Sequence, residues 1–169
     1  LLRISEIEDH RRRSGFISFD PQPLLHELHD FYLPLAEDEG INLRLDVPDT
    51  LPMLHGDRAL LFEAVGNLLS NAIKFTPAHG LVVLGATAEN GATRLEISDS
   101  GPGIAPEERE AIFQRFYRCE ADGQHSGFGL GLSIVAAVVK LHGFTLEVGS
   151  SEQGGTRMTL WCRQSKALV

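Results

Sequence analysis

The sequence predicts an α+β fold in which several helices cover one face of a mixed or antiparallel sheet. Three observations predict this fold class. Some segments repeat apolar residues at helical spacing, others alternate apolar with polar residues as half-buried strands do, and Asn90-Gly91 is a strong hairpin signal. The 169 residues suit one domain, because 43% apolar and 22% charged residues are ordinary proportions for a globular protein.

The first part of the chain predicts a strand, a helix and a second strand. Residues 16–19 suggest a short strand, and the Asp-Pro pair that follows is a typical helix start. An apolar stripe then predicts a helix that ends near Gly40, with Pro34 as a potential kink. Residues 41–47 alternate apolar with polar side chains, which predicts a half-buried strand.

Residues 57–77 predict one amphipathic helix with an unusual polar face. At ~100° per residue, four polar side chains fall within a sector of roughly 80°, namely Glu63, Asn67, Asn71 and Lys74. Two Asn one turn apart are poor helix formers, because their side chains compete for backbone hydrogen bonds. A carboxamide oxygen suits Mg²⁺, and a Lys one turn further along can meet a phosphate. The stripe therefore indicates either a magnesium and phosphate site or a plain solvated helix face.

Residues 81–88 and 93–98 predict the two strands of the hairpin, and the second runs into a glycine-rich turn. That turn spans residues 99–104, begins with an aspartate, and carries glycines that let a ligand approach the backbone closely. Residues 106–116 then predict a helix, since a Pro and two acids precede three apolar positions. Residues 118–126 show no periodicity and predict a mobile loop.

The last part of the chain predicts a helix followed by two antiparallel strands. Residues 127–134 open the helix with glycines, which let backbone N–H groups point at an anion. The helix is predicted to run to His142-Gly143. Residues 144–148 and 156–162 predict the strands.

Charge and cysteine content exclude several function classes. The formal charge of −8 and the pI near 5.3 argue against nonspecific binding to nucleic acid or to anionic membranes. Cys119 and Cys162 have no CxxC spacing, so we predict no disulfide framework and no zinc site, and expect reduced cytoplasmic thiols. No run approaches the ~18 apolar residues of a membrane span.

The order of the motifs is more specific than any one of them. Each glycine cluster alone is weak, because neither the dinucleotide fingerprint nor a Walker A loop is spelled out. Together the motifs resemble the N, G1, F, G2 and G3 boxes of the ATP-binding catalytic domain of sensor histidine kinases, over roughly residues 16–164. In order they are Asn67-x-x-x-Asn71-x-x-Lys74-Phe75, Asp99-x-Gly101-x-Gly103, Phe113 to Phe116, Gly127-x-Gly129-x-Gly131 and Gly154-Gly155-Thr156.

The resemblance implies a fold and a set of nucleotide contacts. The fold is the Bergerat fold, a two-layer α/β sandwich in which about three helices cover one face of a mixed, mostly antiparallel sheet, with an ATP lid. Asn71 is implied as the principal Mg²⁺ ligand with Asn67 beside it, and Lys74 as a phosphate contact. Asp99 is implied to accept a hydrogen bond from the exocyclic amine of adenine, which favours ATP over GTP. The other implied nucleotide contacts are Phe75, Gly101, Gly103, Ile104, Arg118, Gly127, Gly129, Leu130, Gly131, Leu132 and Thr156.

The lid is implied to span residues 115–128, and Arg118 resembles the arginine that reaches the terminal phosphate. Two plainer interpretations stay open here: Arg118 as a solvated charge, and Asp99 as a turn-capping acid. Phe128 departs from the family, which commonly has Thr or Ser there. We therefore expect a reshaped lid and a lowered nucleotide affinity.

The implied function is phosphoryl transfer from Mg-ATP to a histidine on a separate dimerisation domain, with Asn71, Lys74 and Arg118 as the catalytic groups. The family's phosphoacceptor box is absent from this chain. Residues 1–13 resemble the end of a dimerisation helix, so residues 14–169 are interpreted as the catalytic domain of a fragment. The expected partners are ATP, the dimerisation domain and a response regulator, within a homodimeric parent that is cytoplasmic or anchored in the bacterial inner membrane.

Two rival functions are weighed against this one. An anti-sigma-factor-type serine kinase shares the fold, but that group has Glu where this chain has Asn67. A degenerate nucleotide-sensing or protein-interaction module is the non-enzyme alternative, and Phe128 keeps it open.

Overall fold

A computed structural model of the chain describes residues 15–113 and 130–163. Within these ranges the chain forms seven strands, three α-helices and short 3₁₀ turns. In chain order, the strands and helices are β1 (Ile17–Phe19), α1 (Pro21–Asp38), β2 (Asn42–Asp46), β3 (Leu54–Gly56), α2 (Arg58–Phe75), β4 (Leu81–Glu89), β5 (Ala92–Asp99), α3 (Leu130–His142), β6 (Thr145–Ser150) and β7 (Thr156–Trp161).

Five strands form the main sheet, in the order β2-β4-β5-β7-β6. Strands β2 and β4 are parallel, and the other three neighbouring pairs are antiparallel. Strands β1 and β3 form a separate antiparallel pair. The main sheet is therefore mixed and mostly antiparallel, as the sequence predicts.

The three helices cover one face of the main sheet, which gives a two-layer domain. Along β4 the buried residues Val82, Leu84 and Ala86 alternate with partly exposed ones, and Leu95 and Ile97 follow the same pattern along β5. These side chains join the apolar faces of the helices in one core. The observed architecture confirms the predicted α+β fold class.

Helix α2 lies between α1 and α3 and packs against both. Its start is fixed by Asp57, whose carboxylate accepts a hydrogen bond from the N–H of Leu60 at 3.1 Å. Its end is fixed by Thr76, which has an extended backbone with φ −86° and ψ 128°, and by the proline that follows. The helix predicted over residues 57–77 is therefore confirmed.

Two segments differ from the sequence-based expectation. Strand β3 was not predicted, because its three residues are too few to establish an alternating pattern. The helix predicted over residues 106–116 is wrong where the structure describes it, since Pro106–Glu108 and Ala111–Phe113 form separate 3₁₀ turns. Ile112 is the buried side chain of these turns, so little apolar surface holds a longer helix in place.

The structure also describes three local features that bear on the sequence analysis. Helix α1 continues past Pro34 to Asp38. Cys162 is a free, buried thiol, and burial raises its pKa to about 12, whereas Cys119 lies outside the described residues. Within the described ranges, none of the helices combines the length and the apolar character needed to cross a bilayer.

Candidate functional site

The polar stripe predicted on α2 lies on the side of the helix that faces away from the core. Glu63, Asn67 and Asn71 are half-buried, and Lys74 is exposed in the last turn. The opposite side of the helix carries its buried residues, so packing fixes the helix and the stripe with it. Helix α2 therefore presents two carboxamides and one ammonium group from a rigid support.

Asn67 connects the stripe to the start of α3. Its Nδ2 donates a hydrogen bond to the carbonyl oxygen of Gly131 at 3.3 Å. Because the partner is a carbonyl, the amide nitrogen must face it, which leaves the carboxamide oxygen of Asn67 available to a cation. The structure thus brings together two motifs that lie 64 residues apart in the chain.

In the first turn of α3, the described residues leave the space beside Gly131 unfilled. Apart from its chain neighbours and the backbone of its own helix, a Cβ atom added at Gly131 would meet no heavy atom of the described residues within 4 Å. The first backbone N–H groups of a helix have no partner inside the helix, and they favour an anion. Leu130 is the first residue of this helix, and Leu132 is half-buried in its first turn. The start of α3 can therefore accept a phosphate from the open side.

Asp99 is the last residue of β5 and is only 9% exposed. Its Oδ1 accepts hydrogen bonds from the N–H groups of Gly101 at 2.9 Å and of Thr156 at 3.0 Å. Among the described residues, no group donates a hydrogen bond to its Oδ2. Burial raises the pKa of Asp99, while the two backbone hydrogen bonds act in the opposite direction. One carboxylate oxygen is thus fixed by the protein and the other can accept from a ligand.

Two glycines allow the backbone to approach Asp99. A Cβ atom on Gly155 would lie 2.3 Å from the carbonyl oxygen of Asp99 and 2.4 Å from its Oδ1. A Cβ atom on Gly101 would lie 3.1 Å from the same Oδ1 and 3.2 Å from the carbonyl oxygen of Phe75. The turn after β5 therefore packs against both the β6–β7 turn and the end of α2.

The remaining predicted residues fall into two groups. Phe75 ends α2 beside this turn, Ile104 packs on the core from the same turn, and Gly103 takes the left-handed φ of +78° that a glycine adopts readily. The other group lies outside the described residues, namely Arg118, Gly127, Gly129, Phe128 and the rest of residues 115–128. The first group thus lies in or beside the turn that follows Asp99, and the nucleotide contacts of both groups stay predictions.

Two polar residues at the site were missed by the sequence analysis. Ser151 donates a hydrogen bond to the carbonyl oxygen of Asp99 at 2.6 Å, and Arg109 Nε donates to the carbonyl oxygen of Ile104 at 3.2 Å. Both contacts join segments that are distant or irregular, so no spacing in the sequence signals them. A serine that precedes a Gly-Gly turn was the single available hint for Ser151.

The donor set fits a magnesium ion that is shared with a nucleotide. Within the described residues, no group of three His, Cys, Asp or Glu side chains could hold a metal ion by itself. Mg²⁺ usually keeps several waters and binds one or two protein oxygens together with substrate phosphates. Two carboxamide oxygens can meet that requirement: that of Asn67, whose side chain contacts the start of α3, and that of Asn71, one turn further along α2.

Two surface grooves lie elsewhere in the fold. They have volumes of about 510 and 470 Å³ and share Asp46, Val83, Glu96 and Ser98 on the sheet face that the helices leave uncovered. Neither is lined by Asn67, Asn71 or Asp99. The candidate site is therefore defined by the motif residues and not by these grooves.

Comparison with known families and curated proteins gives consistent matches. The family model described as "Histidine kinase-, DNA gyrase B-, and HSP90-like ATPase" matches residues 56–166. The chain is 34% identical over 136 residues to the adaptive-response sensory kinase SasA of a Synechocystis strain, covering 79% of this chain and 35% of that protein. It is 33% identical over 162 residues to the sensor-like histidine kinase SenX3 of Mycobacterium tuberculosis, covering 95% of this chain and 39% of that protein. The chain thus spans well under half the length of these relatives.

Several solved protein structures also match the chain in fold. The mycobacterial sensor histidine kinase MprB matches with a TM-score of 0.74 at 31% identity, covering 86% of this chain and 95% of that one. The ATP binding domain of PrrB from Mycobacterium tuberculosis matches with a TM-score of 0.70 at 29% identity, covering 90% and 99%. Full-length ShkA in complex with AMPPNP matches with a TM-score of 0.77 at 32% identity, covering 88% and 31%.

Proposed function

Because the chain belongs to the family of histidine kinase-, DNA gyrase B- and HSP90-like ATPases, we propose that it binds ATP with Mg²⁺ and phosphorylates a histidine. Within this family it is an ATP-binding catalytic domain of the sensor histidine kinase type. The acceptor histidine belongs to a dimerisation and phosphotransfer domain that residues 14–169 do not include. The single observation that carries the proposal is the arrangement around Asp99, where one carboxylate oxygen is held by the protein and the other accepts no hydrogen bond from the described residues.

Adenine recognition follows from the free oxygen of Asp99. A carboxylate accepts hydrogen bonds and the exocyclic amine of adenine donates them, whereas guanine presents a carbonyl oxygen at the same position. A buried acceptor left without a donor is costly, so the site favours ATP over GTP. Phe75, Gly101, Gly103 and Ile104 enclose the base in this proposal.

Phosphate and metal binding follow from the junction of α2 and α3. Asn71 and Asn67 supply carboxamide oxygens to Mg²⁺, Lys74 meets a phosphate, and the N–H groups at the start of α3 hold the remaining phosphate oxygens. The metal, when bound, neutralises phosphate charge. Phosphoryl transfer depends mainly on such positioning and charge neutralisation, so the chain's own residues orient the γ-phosphoryl group rather than react with it. Arg118 and the G2 glycines Gly127 and Gly129 complete the set in the same proposal.

Transfer to an acceptor is favoured over hydrolysis. An asparagine is not a general base, and the Nδ2 of Asn67 already donates to Gly131, so this side chain does not activate water. The same asparagine argues against the anti-sigma-factor-type serine kinase, and the relatives named above are sensor kinases. The proposed partners are the phosphoacceptor domain and a response regulator, in a homodimeric parent that carries residues 1–13 as the end of a dimerisation helix.

The test is phosphotransfer from radiolabelled ATP to an acceptor domain of this kinase class. We expect label on the acceptor histidine with the wild-type chain and Mg²⁺, and a loss of about 100-fold or more with Asn71→Ala, because the metal loses its main ligand. Asn42→Ala, which changes an exposed asparagine on β2, is the matched control and should leave transfer unchanged. Equal transfer by the Asn71→Ala and wild-type chains would remove Asn71 from the mechanism.

A further inference from the structure

We propose that the Ser151 hydroxyl is a positioning group for adenine recognition, because it fastens the β6–β7 turn to the backbone of Asp99. This inference rests on the proposed function, in which Asp99 accepts a hydrogen bond from adenine. Ser151 does not contact the base itself. It determines where the carboxylate of Asp99 points.

The hydroxyl of Ser151 makes two hydrogen bonds in a buried position. Ser151 is 7% exposed, and its Oγ donates to the carbonyl oxygen of Asp99 at 2.6 Å. The same Oγ accepts a hydrogen bond from the N–H of Gly155 at 3.0 Å. The two residues of the turn are also joined through their backbones, since the N–H of Ser151 donates to the carbonyl oxygen of Gly155 at 2.9 Å. The Ser151 hydroxyl thus forms one hydrogen bond within the β6–β7 turn and another to the end of β5.

The same turn also holds the side chain of Asp99. The N–H of Thr156 donates to Oδ1, and Gly155 packs so closely on Asp99 that a Cβ atom there would overlap its carbonyl oxygen. Asp99 is therefore fixed at its main chain by Ser151 and at its carboxylate by Thr156. A shift of the turn would move both attachments together and change the direction of Oδ2.

A hydroxyl is the required group at this position. It donates to one partner and accepts from another, which alanine does not do and which a thiol does weakly. Removing it leaves the carbonyl oxygen of Asp99 and the N–H of Gly155 without their buried partner. The contacts of Thr156 and Gly101 to Oδ1 persist, so we expect adenine recognition to be weakened and not abolished.

The first experiment compares Ser151→Ala with Ser98→Ala by calorimetry, using ATP and GTP with and without Mg²⁺. Ser98 adjoins Asp99 but faces the open side of the sheet, where its hydroxyl contacts Glu96. We expect Ser151→Ala to weaken ATP binding about fivefold and to lower the ATP-to-GTP preference by a similar factor, with the Mg²⁺-dependent gain unchanged. Ser98→Ala should change none of these values. A purely structural role would lower the melting temperature of Ser151→Ala and leave the nucleotide preference of the folded protein intact.

The second experiment needs no nucleotide. Hydrogen exchange of the Gly101 and Thr156 amides, which donate to Asp99, should accelerate in Ser151→Ala and stay slow in Ser98→Ala. If Ser151→Ala does not fold, Ser151→Cys keeps the size of the side chain with a much weaker hydrogen-bonding group, and the same changes are expected.

The outcomes separate this inference from the proposed function. A wild-type chain that does not bind ATP would overturn the proposed function, while amide exchange would still decide whether Ser151 fixes Asp99. A wild-type chain that binds ATP, together with unchanged ATP-to-GTP preference and unchanged exchange in the variant, would overturn the role of Ser151 and leave the proposed function standing.

Discussion

Asp99 is a buried acid, and its negative charge is costly to bury. The carboxylate is 9% exposed, and burial raises its pKa above that of the unfolded chain. Below the pKa that Asp99 has in the unfolded chain, its contribution to the free energy of unfolding is fully present. This contribution is lost as the pH rises through the higher pKa that Asp99 has in the folded protein. At neutral pH the charged carboxylate is therefore a cost to folding, and the proposed contact with adenine gives a reason for that cost.

We predict that Asp99→Asn stabilises the nucleotide-free protein at pH 7 and weakens ATP binding about tenfold or more. The amide oxygen can keep the hydrogen bonds from Gly101 and Thr156, so the –NH₂ group takes the position of Oδ2. There it faces the exocyclic amine of adenine, and both groups are hydrogen-bond donors. Urea denaturation across pH should show the stability difference growing as the pH rises above the usual range of an Asp carboxyl. A variant that is less stable than the wild type by the same amount at every pH would contradict this account.

Gly155 is the second residue whose identity the structure explains. A side chain at this position would overlap the carbonyl oxygen and Oδ1 of Asp99. We predict that Gly155→Ala lowers the free energy of unfolding by about 1–3 kcal/mol and displaces the acid from the base, so that ATP affinity falls as well. Thermal unfolding and ATP titration measure the two effects.

Gly149→Ala is the matched control for Gly155→Ala. It lies in β6 of the same hairpin, and a Cβ atom there would meet the side chain of Arg157 at an ordinary 3.9 Å. Equal losses of stability and ATP affinity in the two variants would show that the hairpin, and not the contact with Asp99, is responsible.

At the scale of secondary structure, the junction of α2 and α3 is the central feature. The hydrogen bond from Asn67 to the carbonyl of Gly131 links the metal-binding stripe to the helix start that receives phosphate in the proposed mechanism. Both elements are held by the core, since the inner face of α2 and residues such as Val135 and Val138 of α3 are buried. The distance between these two elements, which bind metal and phosphate in the proposed mechanism, is therefore set by packing.

We predict that Gly131→Ala has opposite effects on stability and binding. Alanine favours a helix over glycine by up to about 1 kcal/mol, and the added Cβ would meet no described atom within 4 Å beyond its own helix, so the free energy of unfolding should rise. The same methyl group would occupy the space in front of the backbone, so ATP affinity should fall. Chemical denaturation and calorimetry test the two halves.

Ala136→Gly in the same helix provides the opposite change. It should lower stability through helix propensity and the loss of a half-buried methyl group, and leave ATP affinity unchanged. A Gly131→Ala variant that binds ATP as well as the wild type would show that phosphate does not approach this turn.

At the scale of the whole molecule, the register of the sheet assembles the site. Strand β5 pairs with β7 so that Ser98 lies opposite Arg157, which brings Asp99 beside Thr156. A slip of one residue would turn Asp99 to the other face of the sheet and separate it from the β6–β7 turn. The segments around Asn67, Asp99, Gly131 and Ser151 are thus brought together by topology and not by proximity in the chain.

Much of this organisation could be predicted from the sequence. The apolar stripe of α2, the Asn90-Gly91 hairpin and the order of the motifs each carry a local signal, and the fold class follows from them. Strand β3 and the 3₁₀ turns were missed because short segments give no period. The hydrogen bonds of Ser151 could not be predicted, because they depend on which atoms the register of β5 and β7 brings within hydrogen-bonding distance.

The family is established by the match over residues 56–166 and by relatives that the chain covers only in part, at 35% and 39% of their length. The activity of the whole protein, its acceptor and its response regulator are therefore proposals that the isolated domain alone does not test. Nucleotide binding is the step that the domain can be tested for directly.

The most direct test is a calorimetric titration of the wild-type chain with ATP and GTP, each with and without Mg²⁺. The account predicts ATP binding that Mg²⁺ strengthens, with GTP binding about tenfold weaker or more because it offers no donor to Asp99. Equal affinity for ATP and GTP, or no binding of ATP at millimolar concentration, would contradict the assignment of this site as an adenine nucleotide site.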